Sequence, residues 1–199
     1  MIYRAFDIFL TLIILILASP VMLIIAVILR LREGAPILFR QERVGADRKT
    51  FSIYKFRTMR NGSNFDAKAA STSKQAMQEE RAKMRVKSDK DPRITAIGAI
   101  LRKTHLDELP QLFNVLRGDL SLVGVRPDTP LQEDDYPEGY WEKRHRYAPG
   151  ITGPDQMIRS SDIAGRVQNE TLWLEGRSLG LYLRYLGSTP LKMLKRTSF

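Results

Sequence analysis

Cysteine is absent from the 199 residues, and histidine occurs only at His105 and His145. The first absence excludes disulfides, a thiolate nucleophile and zinc–cysteine sites. The second leaves little room for a histidine-based metal centre. Acidic side chains are in deficit: 22 Asp and Glu face 32 Lys and Arg, a formal net charge of +10 with a pI near 10.0. That excess calls for an anionic partner, whether nucleic acid, a membrane surface or a phosphorylated substrate. No run of interleaved basic and aromatic residues resembles a nucleic-acid module, so membrane or phosphate is favoured and no nucleic acid is expected. The length suffices for one domain with its own core.

What the chain does have, at its start, is a long hydrophobic run. Ile8 to Leu29 is almost wholly apolar, long enough to span a bilayer. A signal peptide fits poorly, because Asp7 is misplaced, the run is too long and a small-residue cleavage site is lacking. Ser19-Pro20 lies near its centre. Proline inside a helix removes a hydrogen bond and clashes with the preceding turn. Two readings stand side by side: one kinked pass, or a chain that turns back and leaves by the face it entered. Each arm of the second form rises ~16 Å, about half the hydrocarbon thickness. Arg4 before the run and Arg30, Arg32, Arg40 and Arg43 after it make both flanks basic, as a turned-back chain with both ends in the cytoplasm requires.

Ile37-Leu38-Phe39 and Phe51-Ser52-Ile53-Tyr54 read as short strands, and Gly45-Ala46-Asp47 between them predicts a hairpin. Lys55, Arg57 and Arg60 follow with Phe56 interleaved. They form either a solvated strand end or a phosphate-facing cluster. Residues 61–90 are polar and read as a surface insertion with one exposed helix, about 74–85. Further on, His145 in the run Lys143-Arg144-His145-Arg146 reads as a surface histidine. Pro149 to Pro154 reads as a tight loop whose glycines allow close backbone approach, as in phosphate loops and plain turns alike. From Leu179 apolar and basic residues alternate as in an interfacial helix, with a break expected near Gly187 to Pro190.

The chain is organised around residues 98–127. Ile97, Ile100 and Leu101 predict a helix that carries Arg102 to the acidic pair Asp107-Glu108. Leu109, Leu112, Phe113 and Leu116 predict a second helix starting near Asp107, with Pro110 in its first turn. Alone, Asp107 is an N-cap and Glu108 a first-turn acid. Beside arginines, two adjacent carboxylates also suit a metal and a phosphorylated substrate.

Several motifs in order resemble the monotopic phosphoglycosyl transferases of the bacterial sugar transferase family, in their small single-domain form. They are Ser19-Pro20; Gln41, Arg43 and Gly45; Tyr54 to Met59; Asp91 to Thr95; Gly98 and Leu101-Arg102; Leu106 to Gln111; Asn114 to Leu116 and Gly118-Asp119; Arg126-Pro127; and Pro149 to Gly153 with Gln156. The resemblance implies a mainly helical α+β fold. Residues 1–32 would be a re-entrant membrane helix–break–helix. Residues 33–178 would be a small cytoplasmic catalytic domain with a short β-hairpin, and 179–199 an amphipathic interfacial tail. It implies transfer of a phospho-sugar from a UDP-sugar to a polyprenol phosphate, undecaprenyl phosphate, on the cytoplasmic face of a bacterial inner membrane, releasing UMP. Asp107 would be the nucleophile, and Glu108 with Asp107 would hold Mg²⁺. Arg102, Arg126, Lys55, Arg57, Thr152 and Gly153 would bind substrate or phosphate. Attack by a carboxylate on a diphosphate brings anion to anion, so cations are a physical necessity of that chemistry.

Three departures stand out. Val125 replaces a usual proline, Ala148 replaces a usual arginine with Arg144 and Arg146 near enough to substitute, and the tail has Pro190 where an aspartate pattern is usual. Two rival readings are a non-catalytic membrane scaffold that uses its basic surface, and a glycosyltransferase that releases UDP.

Overall fold

The structure, a computed structural model, describes residues 2–60, 91–158, 160 and 162–196. The expected surface insertion and its helix lie outside the described residues, as does the Gln156 side chain.

The first helix, α1, spans Ile2–Arg32 with Pro20 inside it. The expected break is therefore not an interruption, since no non-helical residue separates the two arms. The reason is local. Pro20 has no N–H for the Ile16 carbonyl, and the Ser19 hydroxyl donates to that carbonyl at 2.9 Å instead.

Both arms of α1 dock on the same globular body. Near its start, Arg4 donates to the carbonyls of Val115 and Leu116. The buried Asp7 carboxylate accepts from the Ser121 hydroxyl (3.0 Å), the Leu122 N–H (2.9 Å) and the Tyr182 hydroxyl (2.6 Å). Near its end, Ile25 and Leu29 are buried with Phe56 and Leu101. Elsewhere the helix leaves apolar side chains bare, with Ile16 at 71% exposure and Leu17 at 74%. Length and composition allow α1 to enter a membrane, and a bare apolar face of this kind needs lipid or protein cover.

The predicted hairpin forms as β1 (Leu38–Val44) and β2 (Thr50–Phe56), antiparallel, with Gln41 opposite Ile53 and Phe39 opposite Lys55. The next described helix, α2 (Ala96–Thr104), is capped by the Thr95 hydroxyl, which accepts from the Gly98 N–H. Gly98 is pressed onto β2's exit, where a Cβ would lie 2.1 Å from the Thr58 carbonyl oxygen. The second predicted helix starts later than expected. Leu106–Glu108 is a 3₁₀ turn, and α3 runs Gln111–Arg117. His105, left-handed at φ 58°, ends α2 and throws the chain into that turn.

Residues 149–154 depart from the expected loop. Gly150–Thr152 is a strand, β4, pairing in parallel with β3 (Ser121–Val123). Its glycines are demanded by the chain's own backbone, since a Cβ on Gly153 would sit 1.9 Å from the Gly124 carbonyl oxygen. Between these strands lies α4 (Tyr140–Arg144), and after β4 come α5 (Pro154–Met157), α6 (Ile163–Glu175) and α7 (Leu179–Arg196). The break expected near Gly187 to Pro190 does not occur, because α7 is continuous. Its start packs inward, with Tyr182 fully buried against Asp7 and Leu181, Tyr185 and Leu186 lying on the core of Ile53, Leu112, Val115, Leu122 and Trp173.

Candidate active site

Asn114 brings the acidic turn to the hairpin. It is fully buried, accepts from the Tyr54 N–H (3.0 Å) and donates to the Ser52 carbonyl (2.8 Å). α3 is thereby fastened along β2, and the turn before α3 lies beside Lys55. The Lys55 ammonium meets the Glu108 carboxylate at 2.6 Å, with both side chains about a quarter exposed (25% and 30%). Asp107 is more deeply set, at 8% exposure. Arg102 reaches back from α2, its Nε donating to the Thr58 hydroxyl at 2.9 Å.

The two carboxylates are driven apart. Burial pushes the Asp107 carboxyl up to about 6, aided by Glu108 and opposed by Lys55 and Arg102. Burial also works to raise Glu108, but Lys55, Arg126 and His105 outweigh it and hold that carboxyl below the usual carboxylate range. The split comes from environment, since Asp107 is the more deeply buried and Glu108 is paired with an ammonium. The structure thus gathers Asp107, Glu108, Lys55, Arg102 and Arg126.

Three predicted phosphate ligands are placed otherwise. The buried Arg57 guanidinium donates to the carbonyls of Glu33 (2.6 Å) and Gly34 (3.1 Å) beyond the end of α1. The Thr152 hydroxyl is bonded to that of Thr189 at 2.8 Å, and Gly153 serves the β3–β4 contact.

The basic run around His145 is not a surface feature. Arg144 is fully buried between Glu170 (2.9 Å) and Asp128 (3.2 Å), so it is not a stand-in for the arginine missing at Ala148. His145 is 1% exposed, its Nδ1 is 2.7 Å from the Trp141 carbonyl, and burial and Arg144 push its imidazole down to about 4. Arg166 completes a buried network, contacting Asp128 and Glu170 at 3.1 Å each. Arg144 and Arg166 both donate to the Arg126 carbonyl, at 3.0 and 3.4 Å, and so anchor one wall of the site. Sequence reasoning missed this network because lysines and arginines in a run are usually solvated. The only signal was the set of lone acids Asp128 and Glu170, far apart in the chain. It counted Arg43 as a basic flank and a motif residue but not as a site residue, although the hairpin register sets Arg43 and Gln41 on the same face as Lys55.

Fold and site together set a cation-ringed acid pair on a domain whose first helix is long and apolar enough to enter a membrane. The chain belongs to the bacterial sugar transferase family, whose sequence profile matches residues 1–196. It is 35% identical to an exopolysaccharide production protein PSS of Rhizobium leguminosarum bv. phaseoli, over 97% of this chain and 95% of that one. It is 40% identical to a UDP-glucose:undecaprenyl-phosphate glucose-1-phosphate transferase of Escherichia coli (strain K12), over 77% of this chain. It is 40% identical to an undecaprenyl-phosphate galactose phosphotransferase of Salmonella typhimurium, over 85% of this chain. The chain spans 30% and 37% of those last two proteins, against nearly all of the first.

Proposed function

We propose that this protein transfers a sugar phosphate from a UDP-sugar to undecaprenyl phosphate, through a covalent intermediate on Asp107. The observation that carries the reading is the buried Asp107 carboxyl beside an ionised Glu108, ringed by Lys55, Arg102 and Arg126. The relatives' named reactions supply the donor and acceptor classes. A carboxylate oxygen of Asp107 bonds to the β-phosphorus, and the bond from that phosphorus to the bridging oxygen breaks. The electron pair leaves with UMP. An oxygen of the lipid phosphate then bonds to the same phosphorus, and the Asp107 carboxylate is regenerated. The cations lower the repulsion between carboxylate and diphosphate before either bond changes.

Mg²⁺ fits this donor set. Among the described residues no cluster of three or more His, Cys, Asp or Glu forms a dedicated cage. A hard cation held by one or two carboxylates and substrate phosphates needs none. Glu108 and Asp107 would hold it, and it would neutralise charge on the diphosphate.

The docking of α1 supports a re-entrant reading. Arg4 and Asp7 at one end and Ile25 and Leu29 at the other are bound to one globular body. A helix crossing the bilayer would separate them by its full thickness. Basic flanks on both ends favour the cytoplasmic face of the inner membrane.

The test is incubation of nanodisc-held protein with Mg²⁺, undecaprenyl phosphate and a panel of UDP-sugars, with nucleotide release measured. The expected result is UMP from at least one donor, abolished by Asp107→Asn. Release of UDP would overturn the reading in favour of ordinary glycosyl transfer.

A further inference from the structure

Arg177 lies in the link between α6 and α7. Its guanidinium carbon stands over three aromatic rings, 4.1 Å from the centroid of Tyr147, 4.5 Å from that of Tyr3 and 5.7 Å from that of Trp173. The box joins three distant parts of the chain: the first turn of α1, the segment before β4 and the end of α6. Rings support a cation through its faces. The five N–H donors of a guanidinium lie in its plane, and stacking does not satisfy them. Among the described residues none of these donors has a hydrogen-bond partner, and no carboxylate pairs with Arg177. Nε is sealed from solvent, whereas the terminal nitrogens are not. Tyr147 is itself 42% exposed, so the box opens to the surface. The carboxylates closest along the chain to the box are already engaged. Glu175, two residues before Arg177, pairs with Lys143 at 2.6 Å, and Asp7, one turn along α1 from Tyr3, accepts three hydrogen bonds. A fixed cation with open in-plane donors fits an oxygen-rich anion.

Position says which anion. The bare apolar face of α1 begins at Ile8 (37% exposed) and Phe9 (62%). Tyr3 precedes Ile8 by five residues, at most ~8 Å along a helix. The polar layer on each side of a bilayer is roughly 5–8 Å deep. Where α1 enters lipid, the box therefore lies at the level of the headgroups, where aromatic rings and long basic side chains are at home. The box is also separate from the acid pair. Arg4, next to Tyr3, binds the carbonyls of Val115 and Leu116 at the far end of α3, whereas the acid pair precedes that helix. Its seven residues span ~10 Å. The net charge of +10 favours an anionic surface.

We propose that Arg177, in its box of Tyr3, Tyr147 and Trp173, is a binding site for the phosphate of an anionic phospholipid, which fastens the start of α1 to the globular body at the membrane surface. The proposal needs α1 in lipid and does not depend on the transfer chemistry.

Native mass spectrometry of the full chain in neutral detergent, titrated with phosphatidylglycerol, reads the affinity for a single lipid. Arg177→Gln is expected to bind it about 10-fold less tightly, the loss of a hydrogen bond to a charged group. Arg177→Lys keeps the charge but not the flat stack, should fall between, and serves if the glutamine variant does not fold. Lys49→Gln removes the same charge from the exposed hairpin turn and should bind as the wild type does. Unchanged affinity in Arg177→Gln, or an equal loss in Lys49→Gln, would overturn the site. Inorganic phosphate is the second probe and should not displace the lipid. Displacement at matched concentration would assign the box to a soluble anion and overturn the lipid assignment. A wild type that releases UDP in the nucleotide assay overturns phosphosugar transfer and leaves this site standing.

Discussion

At Asp107 the interior holds a carboxyl near 6, while one residue later Lys55 keeps Glu108 ionised. Nothing in the dipeptide Asp-Glu announces that split. It arises because Asp107 faces inward and Glu108 faces an ammonium. The same contrast of burial and sequence appears at His145, which the neighbouring basic residues made look solvated. Its imidazole is pushed from 6.5 down to about 4 by burial and by Arg144. Between those two values the unfolded chain binds a proton that the native protein does not. The His145 contribution to stability therefore rises with pH across that window and falls on acidification, while Asp107, raised from 3.8 to about 6, acts with the opposite sign. The two are separated by difference: from pH 7 down to pH 4.5 the urea midpoint of His145→Gln should rise relative to that of the wild type.

Among the elements, α1 shows most clearly how a local rule is overridden. Pro20 invites a break, yet the Ser19 hydroxyl takes over the carbonyl that proline abandons, and helix continues on both sides. Pro190 in α7 fails to break its helix as well, in a segment that Tyr182 and its neighbours anchor to the core. Propensity is a weak prior where tertiary contacts are strong. The re-entrant reading makes a sharp prediction, helped by the absence of native cysteine. Ile2→Cys and Arg32→Cys, placed singly, should both react with a membrane-impermeant maleimide in inside-out vesicles. Labelling of only one of them would establish a single pass. The hairpin was legible because short strand-forming runs and a turn signal are local. The β3–β4 pair was not, since it joins three-residue strands about thirty positions apart and only Gly124, Gly150 and Gly153 make room for it.

Over the whole molecule, a buried charge network ties α4, α6 and the segment after β3 into one wall. Glu170 is 0% exposed and serves both Arg144 and Arg166. Removing one partner from such a set leaves charges buried and unmet. Glu170→Ala should cost about 3–5 kcal/mol by urea denaturation, and Arg126 should lose its fixed place, lowering transferase activity. The net charge of +10 adds attraction to anionic lipid, but α1's bare apolar face is not screened by ions. Membranes washed with about 1 M salt, where the screening length falls to roughly 3 Å, should retain the protein. Release by salt would mean that charge alone holds it.

The sequence by itself determined the apolar anchor, the hairpin, the helix ahead of the acidic pair and the acidic pair itself, because each is encoded by neighbours along the chain. It also carried the family, through motifs kept in order and matched over residues 1–196. Only the tertiary structure decided which basic residues face the carboxylates. Lys55, Arg102 and Arg126 converge there, whereas Arg57 and Arg144 turn to carbonyls and acids elsewhere. The physical reason is that a charge is placed by what it can pair with once water is excluded. Those partners come from residues tens of positions away, which only folding brings together.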